Sequence, residues 1–210
     1  MATKLIPKET ALIVIDMQYD FYGPEGNAVK RKRPVTKMHG ITRKLEQFAQ
    51  RIEEKGGLVI FTRYVSGPGV TPKNLQIAVE KEGGKLLCAI GSGGEALFDI
   101  HPPQKAIIIA KPHYDSFVYT NLKELLQKNH IKNVLITGVR TEVCVDATAK
   151  RAASEGYNTY IVSDLVATYD DKYEIHDYML NFFKNYYGFV LKSDEILWNS
   201  QPGPTILPTL

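Results

Sequence analysis

The sequence predicts an α/β protein: a doubly wound, six-stranded, mainly parallel sheet with helices on both faces, a Rossmann-like arrangement. Three observations carry this. Short uninterrupted apolar runs recur along the chain, among them Ala11–Ile15, Leu58–Phe61, Ala106–Ala110 and Val134–Ile136. Such runs suit strands covered on both faces, as parallel sheets require. Between them lie stretches whose apolar residues return every three or four positions, the helical spacing. Strand and helix then alternate, and right-handed crossovers wind that order into one sheet with every strand's C-terminal end on the same edge.

Each element follows in order. Ala11–Ile15 ends at Asp16, and Asp16-Met17-Gln18-Tyr19-Asp20-Phe21 places two carboxylates and two aromatics just past the strand. In open parallel sheets that edge is where sites are built. A loop through Gly23–Gly26 leads to the basic run Lys30-Arg31-Lys32-Arg33, which reads as solvated surface. Thr36 to Lys55 has apolar residues at 38, 41, 45, 48, 49 and 52, a helix ended by Gly56-Gly57. Leu58–Phe61 is the second strand and delivers Arg63-Tyr64.

Residues 66–104, rich in Gly and Pro, hold a short helix at Leu75–Val79 and a turn at Gly91–Gly94 entering another at Glu95–Phe98. That turn lacks the spacing of a phosphate-binding loop. An excursion of this length is expected to cap a site or form a subunit contact. Ala106–Ala110, the third buried strand, delivers Lys111-Pro112-His113-Tyr114-Asp115-Ser116-Phe117. Asn121–Asn129 is a short helix and Val134–Ile136 the fourth strand. Thr141 is the expected N-cap of the next helix, with Cys144 in its first turn and Gly156 as its stop. Tyr157–Val162 is the fifth strand, Asp171–Tyr187 a helix, Gly188–Leu191 the last strand and Ser193–Trp198 a closing helical turn.

The 210 residues suit one domain with a core over about 8–195 and a Pro-rich tail at 200–210. A net charge of +3 argues for neither nucleic acid nor an anionic membrane as partner. No apolar stretch reaches the length of a membrane span or of a signal peptide's core. Two cysteines, Cys88 and Cys144, make no disulfide framework, so a reducing cytoplasm is the expected location and Cys88 is expected to pack.

Cys144 alone would read as a small buried apolar residue. Its setting argues for more. The first turn of a helix favours a thiolate through unpaired N–H groups and the helix dipole, and the same N–H groups can receive an oxyanion. Lys111 directly after an apolar strand needs water or a partner for its ammonium; snorkelling to solvent is the ordinary solution. Asp16, Lys111 and Cys144 each sit at a strand end on one sheet edge, and three reactive types meeting there are what a site needs.

These residues resemble the isochorismatase-like cysteine hydrolase family. Three motifs carry the likeness: Val14-Ile15-Asp16-Met17-Gln18 with Asp20-Phe21; Lys111-Pro112 with Tyr114-Asp115-Ser116-Phe117; and Thr137-Gly138-Val139 with Thr141, Cys144-Val145, Thr148-Ala149 and Gly156-Tyr157. The resemblance covers about residues 8–195. It implies a six-stranded parallel sheet and a catalytic triad of Asp16, Lys111 and Cys144. It also implies a non-proline cis peptide between Val139 and Arg140, with an oxyanion hole from the backbone N–H groups of Cys144 and of Arg140 or Thr141. Metal-using members, the nicotinamidases, carry Asp-x-His after the second strand, where this chain reads Arg63-Tyr64-Val65. Its five histidines, at 39, 101, 113, 130 and 176, have no spacing for a metal trio, so no metal and no cofactor are expected.

The expected activity is cleavage of the C–N bond of a small amide or ureido substrate through a Cys144 thioester. Asp16 acts as base and acid, a role for which partial burial is expected. The alternatives are a vinyl ether hydrolase with Asp16 as general acid, as in isochorismatases proper, and a non-catalytic binding protein on the same fold. Phe21, Arg63, Tyr64, Tyr114, Phe117 and Arg140 are candidate substrate contacts, Arg140 either as a carboxylate clamp or in a structural ion pair. A homo-oligomer, dimer or tetramer, is expected from the resemblance.

Overall fold

The computed structural model describes residues 3–81 and 86–199; the tail expected at 200–210 lies outside the described residues. Among the described residues eight strands are seen: β1 (Thr3–Leu5), β2 (Thr10–Ile15), β3 (Leu58–Tyr64), β4 (Ile107–Lys111), β5 (Asn133–Val139), β6 (Asn158–Ala167), β7 (Phe189–Leu191) and β8 (Ile196–Trp198). The main sheet has the order β4-β3-β2-β5-β6-β7, every pair parallel. The six predicted strands are these six.

Strand alternation divides the core. Leu12 and Val14 of β2 point to one face with Val59, Phe61 and Leu135; Ala11, Ile13 and Ile15 point to the other with Ile60, Val134 and Ile136. The first face is covered by α3 (Thr36–Glu54) through Met38, Leu45, Phe48, Ala49 and Ile52. The second is covered by α5 (Leu122–Lys128), α6 (Asp146–Ser154) and α7 (Tyr173–Tyr186) through Leu122, Leu126, Ala149, Ala152 and Phe183. Three short helices, α1 (Tyr19–Tyr22), α2 (Asn27–Lys30) and α4 (Lys73–Lys81), sit in the loops after β2 and β3. Because β2 and β5 are the two central strands, both their faces are sealed, and β2 is buried along its whole length.

Four expectations are corrected. The Ala106–Ala110 run is not covered on both faces: β4 is an edge strand, and Ile107 and Ile108 are 36% and 49% exposed. An apolar run reports β propensity, while the neighbour on the open side is decided by sheet order. The closing turn at 193–198 is a 3-10 turn, Ser193–Glu195, followed by β8, which pairs in parallel with β1 to make a second sheet of two strands. Three-residue strands leave no periodicity to read. No helix forms at Glu95–Phe98; Leu97 instead bridges to Gln18. Finally, Thr141 does not cap a helix. Thr141–Val145 is a π-helical turn, α6 begins only at Asp146, and Cys144 therefore sits in the π turn.

Candidate active site

The C-terminal edge of the sheet collects the reactive side chains. Asp16 follows β2 and adopts a left-handed backbone, φ +51°. Non-glycine residues pay for that conformation, though Asp is among the tolerant types. The neighbouring strand makes room: Gly138 of β5, φ +98°, lies opposite Ile15, and a Cβ there would stand 2.1 Å from the Ile15 carbonyl oxygen. Only glycine fits at this crossing.

Asp16 and Lys111 have no exposed surface and Cys144 is 4% exposed. Lys111 Nζ lies 2.8 Å from Asp16 Oδ2 and donates to the carbonyls of His113 and Tyr114 at 3.0 and 3.2 Å. Its ammonium also stands 5.6 Å from the Tyr64 ring centroid. Lys111 does not take the alternative route of snorkelling to solvent, and Asp16, expected to be partly buried, is wholly enclosed. Asp16 Oδ1 accepts from the Thr62 hydroxyl at 2.7 Å. Asp16 Oδ2 is held against the ammonium at 2.8 Å. The Cys144 sulfur lies beside both Asp16 and Lys111.

The electrostatics differ from those expected for a helix terminus. Burial is the largest influence on Cys144 and, although Lys111 opposes it, pushes the thiol well above its usual range. Cys144 therefore rests as a thiol. Burial also works against the Lys111 ammonium, but Asp16 beside it wins and holds its pKa above the usual lysine value. The fold thus keeps a charged Lys111, a neutral sulfur and the Asp16 side chain beside one another.

The peptide bond between Val139 and Arg140 is cis. It leads into the π turn, whose early N–H groups at Thr141 and Cys144 belong to the part of a helix that lacks intrahelical acceptors. The turn is held from behind by a residue that sequence reasoning missed. His176 of α7, 5% exposed, shares a hydrogen bond of 2.8 Å between its Nδ1 and Thr141 Oγ1, and its ring stacks on Tyr173 at 4.4 Å between centroids. A polar residue on the inner face of a mostly apolar helix was the one available signal. Thr62, the donor to Asp16, had none beyond its place near a strand end.

Two motif residues hold the surroundings. The buried Gln18 amide bonds both sides of the Tyr64 peptide group and the Glu95 carbonyl, tying the 86–98 loop to β3. Asp20, 3% exposed, accepts from Asn27 and from the Cys88 N–H at 2.6 Å. Cys88 itself lies in the core cluster under α3.

The candidate substrate contacts divide. Tyr64 and Tyr114 stand 6.0 Å apart beside Lys111. Phe117 packs in the same cluster as Cys144, and Phe21 in the cluster under α3 with Tyr64. Arg63 alternates with Thr62 and Tyr64 along β3 and so points to the opposite face; its buried Nε has no hydrogen-bond partner. Arg140 donates from Nε and Nη2 to Glu142 Oε1 at 3.0 and 2.6 Å and lies 4.6 Å from the Tyr169 ring centroid. Among the described residues no group of three or more His, Cys, Asp or Glu side chains is placed to hold a metal ion, and Arg63-Tyr64-Val65 stands where the resemblance to metal-using members implies Asp-x-His. The residues present do not fit such a metal centre.

The isochorismatase domain model matches residues 10–195. Ureidoacrylate amidohydrolase RutB of Acinetobacter baylyi is 27% identical over 204 residues, 90% of this chain and 82% of that protein. Among solved structures, pyrazinamidase of Pyrococcus horikoshii, crystallised with zinc, is 32% identical with a TM-score of 0.73, covering 88% of this chain and 99% of its own. A cysteine hydrolase from Pseudomonas syringae shares the fold at a TM-score of 0.80 over 92% of both chains, with 21% identity. Sheet order, site edge and domain match agree: the chain belongs to the isochorismatase family of hydrolases.

Proposed function

We propose that the protein is a metal-independent cysteine amidohydrolase that cleaves the C–N bond of a small amide or ureido compound. The observation that carries this reading is the fully buried Asp16–Lys111 pair, 2.8 Å apart, beside a Cys144 held as a thiol. As the sulfur attacks the carbonyl, its proton passes to Asp16. Lys111 offsets the negative charge of the pair at every stage, so the proton moves within a nearly neutral cluster. The oxyanion is received by the N–H of Cys144 with that of Arg140 or Thr141, each such donor being worth about 3 kcal/mol. Asp16 returns the proton to the leaving ammonia or amine, then draws one from the water that hydrolyses the thioester. Tyr64 and Tyr114 wall the acyl site. The names of two relatives, a ureidoacrylate amidohydrolase and a pyrazinamidase, point to the same bond class.

The test is ammonia release from a panel of small amides and ureido compounds, with EDTA present, by wild type and by Cys144→Ala. Release by wild type only, undiminished by EDTA, is expected. A Cys144→Ala protein with full activity, or a wild type that opens a vinyl ether and releases no ammonia, would overturn the reading.

A further inference from the structure

Lys44, Phe48, Arg51 and Lys55 return every three or four residues along α3 and its C-cap, so they share one helix face over about 16 Å. Phe48 and Ile52 are buried, and with Ile196 and Trp198 of β8 they form the apolar part of a cavity of about 410 Å³. The wall opposite α3 is fixed from both ends. The Asn199 N–H, just past β8, donates to the Leu5 carbonyl at 2.8 Å, continuing the pairing of β8 with β1. Before β8, the Ser193 N–H and hydroxyl both donate to Asp164 at 2.8 Å.

The rim of this cavity is basic. Lys44 is tied to Asp164. Arg51 lies over the Phe48 ring, its guanidinium carbon 5.8 Å from the centroid. Among the described residues neither Arg51 nor Lys55 has a carboxylate partner. Asp194 is the one carboxylate in the lining, against three cations. Residues 200–210, which follow β8, carry no acidic side chain that would neutralise the row. The crossover from β2 to β3 runs α3 antiparallel to both strands, so Arg51 and Lys55 lie at the edge where the strands begin. Asp16 and Cys144 lie at the edge where they end, so this cavity is no part of the catalytic centre.

We propose that this cavity is a second binding site, separate from the catalytic one, for a small planar aromatic acid. The ring enters between Phe48 and Trp198, where aromatic partners add to the burial of apolar surface. The carboxylate stays at the rim, met by the Arg51 fork and the Lys55 ammonium. An apolar interior with a few charged groups at one end is the ordinary construction of a small-molecule site, and the volume falls in the range of about 300–1,000 Å³ that such sites occupy. The proposal is independent of the bond that the catalytic centre cleaves.

Trp198 is the protein's single tryptophan, so its fluorescence reports from the cavity wall. The experiment titrates it with 4-nitrobenzoate, a contact quencher, and with 4-nitrobenzyl alcohol, which keeps the ring and lacks the charge. N-acetyltryptophanamide is the free-indole standard. Saturable quenching by the acid is expected, with a midpoint about tenfold below that of the alcohol, the effect of one hydrogen-bonded charge pair. In Arg51→Gln/Lys55→Gln the midpoint for the acid rises to that of the alcohol, and the alcohol's stays where it was. Lys123→Gln/Lys128→Gln, which removes equal charge from α5, leaves both midpoints unchanged. Cys144→Ala, altered only in the catalytic centre, also keeps both. Four outcomes overturn the proposal: linear quenching with the slope of the free indole, equal midpoints for acid and alcohol, no change in the Arg51→Gln/Lys55→Gln protein, or loss of saturable quenching in Cys144→Ala, which would put the ligand in the catalytic centre.

Discussion

Lys111→Met puts the buried ion pair to a quantitative test. Met nearly matches the lysine stem in length and removes only the charge and the donors. In the folded protein Asp16 would then keep a carboxylate with no exposed surface and no cation at 2.8 Å, and the His113 and Tyr114 carbonyls would lose their shared donor. Breaking a buried pair on one side costs about 3–5 kcal/mol, because the surviving charge is left uncompensated. For a chain of this size that is roughly 10 °C in Tm. Removing both charges in Asp16→Asn/Lys111→Met is expected to recover most of the loss, since a neutral pair of similar volume has no stranded charge. Urea unfolding followed by circular dichroism measures all the proteins of the cycle, with the m-value checked for constancy. A single-variant cost below about 1 kcal/mol, the value of an exposed pair, would refute the claim that the pair is desolvated. The pH dependence supplies a second check. The folded pKa of Lys111 is raised, so its contribution is fully present below the ordinary lysine value of 10.5 and is lost as pH climbs through the folded value. Wild type should therefore lose stability in strong alkali where Lys111→Met does not.

Further outcomes follow from single contacts. Thr62→Val deletes the hydroxyl that donates to Asp16 Oδ1 and should lower kcat/KM about 10- to 100-fold, from the roughly 1.5–3 kcal/mol of a hydrogen bond to a charged group; Thr62→Ser should restore most of it. His176→Leu should lower kcat with little change in KM by freeing the Thr141 hydroxyl, and His176→Asn, which can still bond it, should rescue the rate. Burial lowers the His176 pKa, so the fold holds it neutral; stability is complete above the ordinary value of 6.5 and falls as pH drops through the folded value, a loss that chemical denaturation should find smaller in His176→Asn. Gly138→Ala should yield no folded protein in a solubility and circular dichroism assay, because its Cβ would meet backbone, which cannot rotate away.

Much of this protein is legible in one dimension. Apolar runs mark the central strands β2 and β5 because a strand sealed on both faces has to be apolar at consecutive positions, while the edge strands β4 and β7 are not sealed. The edge that holds the site follows from strand–helix alternation, and Asp16, Lys111 and Cys144 announce themselves by following such runs. What could not be read depends on neighbours distant in the chain. Whether Ile108 is covered depends on which strand lies beside β4, and β1 meets β8 across nearly the whole described sequence. The same holds for chemistry. A lysine after a strand is ordinarily wet; Lys111 is dry because Asp16, Tyr64 and two carbonyls close over it. A cysteine entering a helix is ordinarily acidified; Cys144 is not, because its π turn is buried and desolvation outweighs the nearby ammonium. The basic run is exposed as it reads, and only the fold sets its Arg33 against the Tyr169 ring. Composition and periodicity determined the elements and the identity of the reactive groups, since these depend on local sterics and burial pattern. Only the tertiary structure decided their charge states and partners, since an electrostatic environment is set by everything within a few ångströms, whatever its distance along the chain.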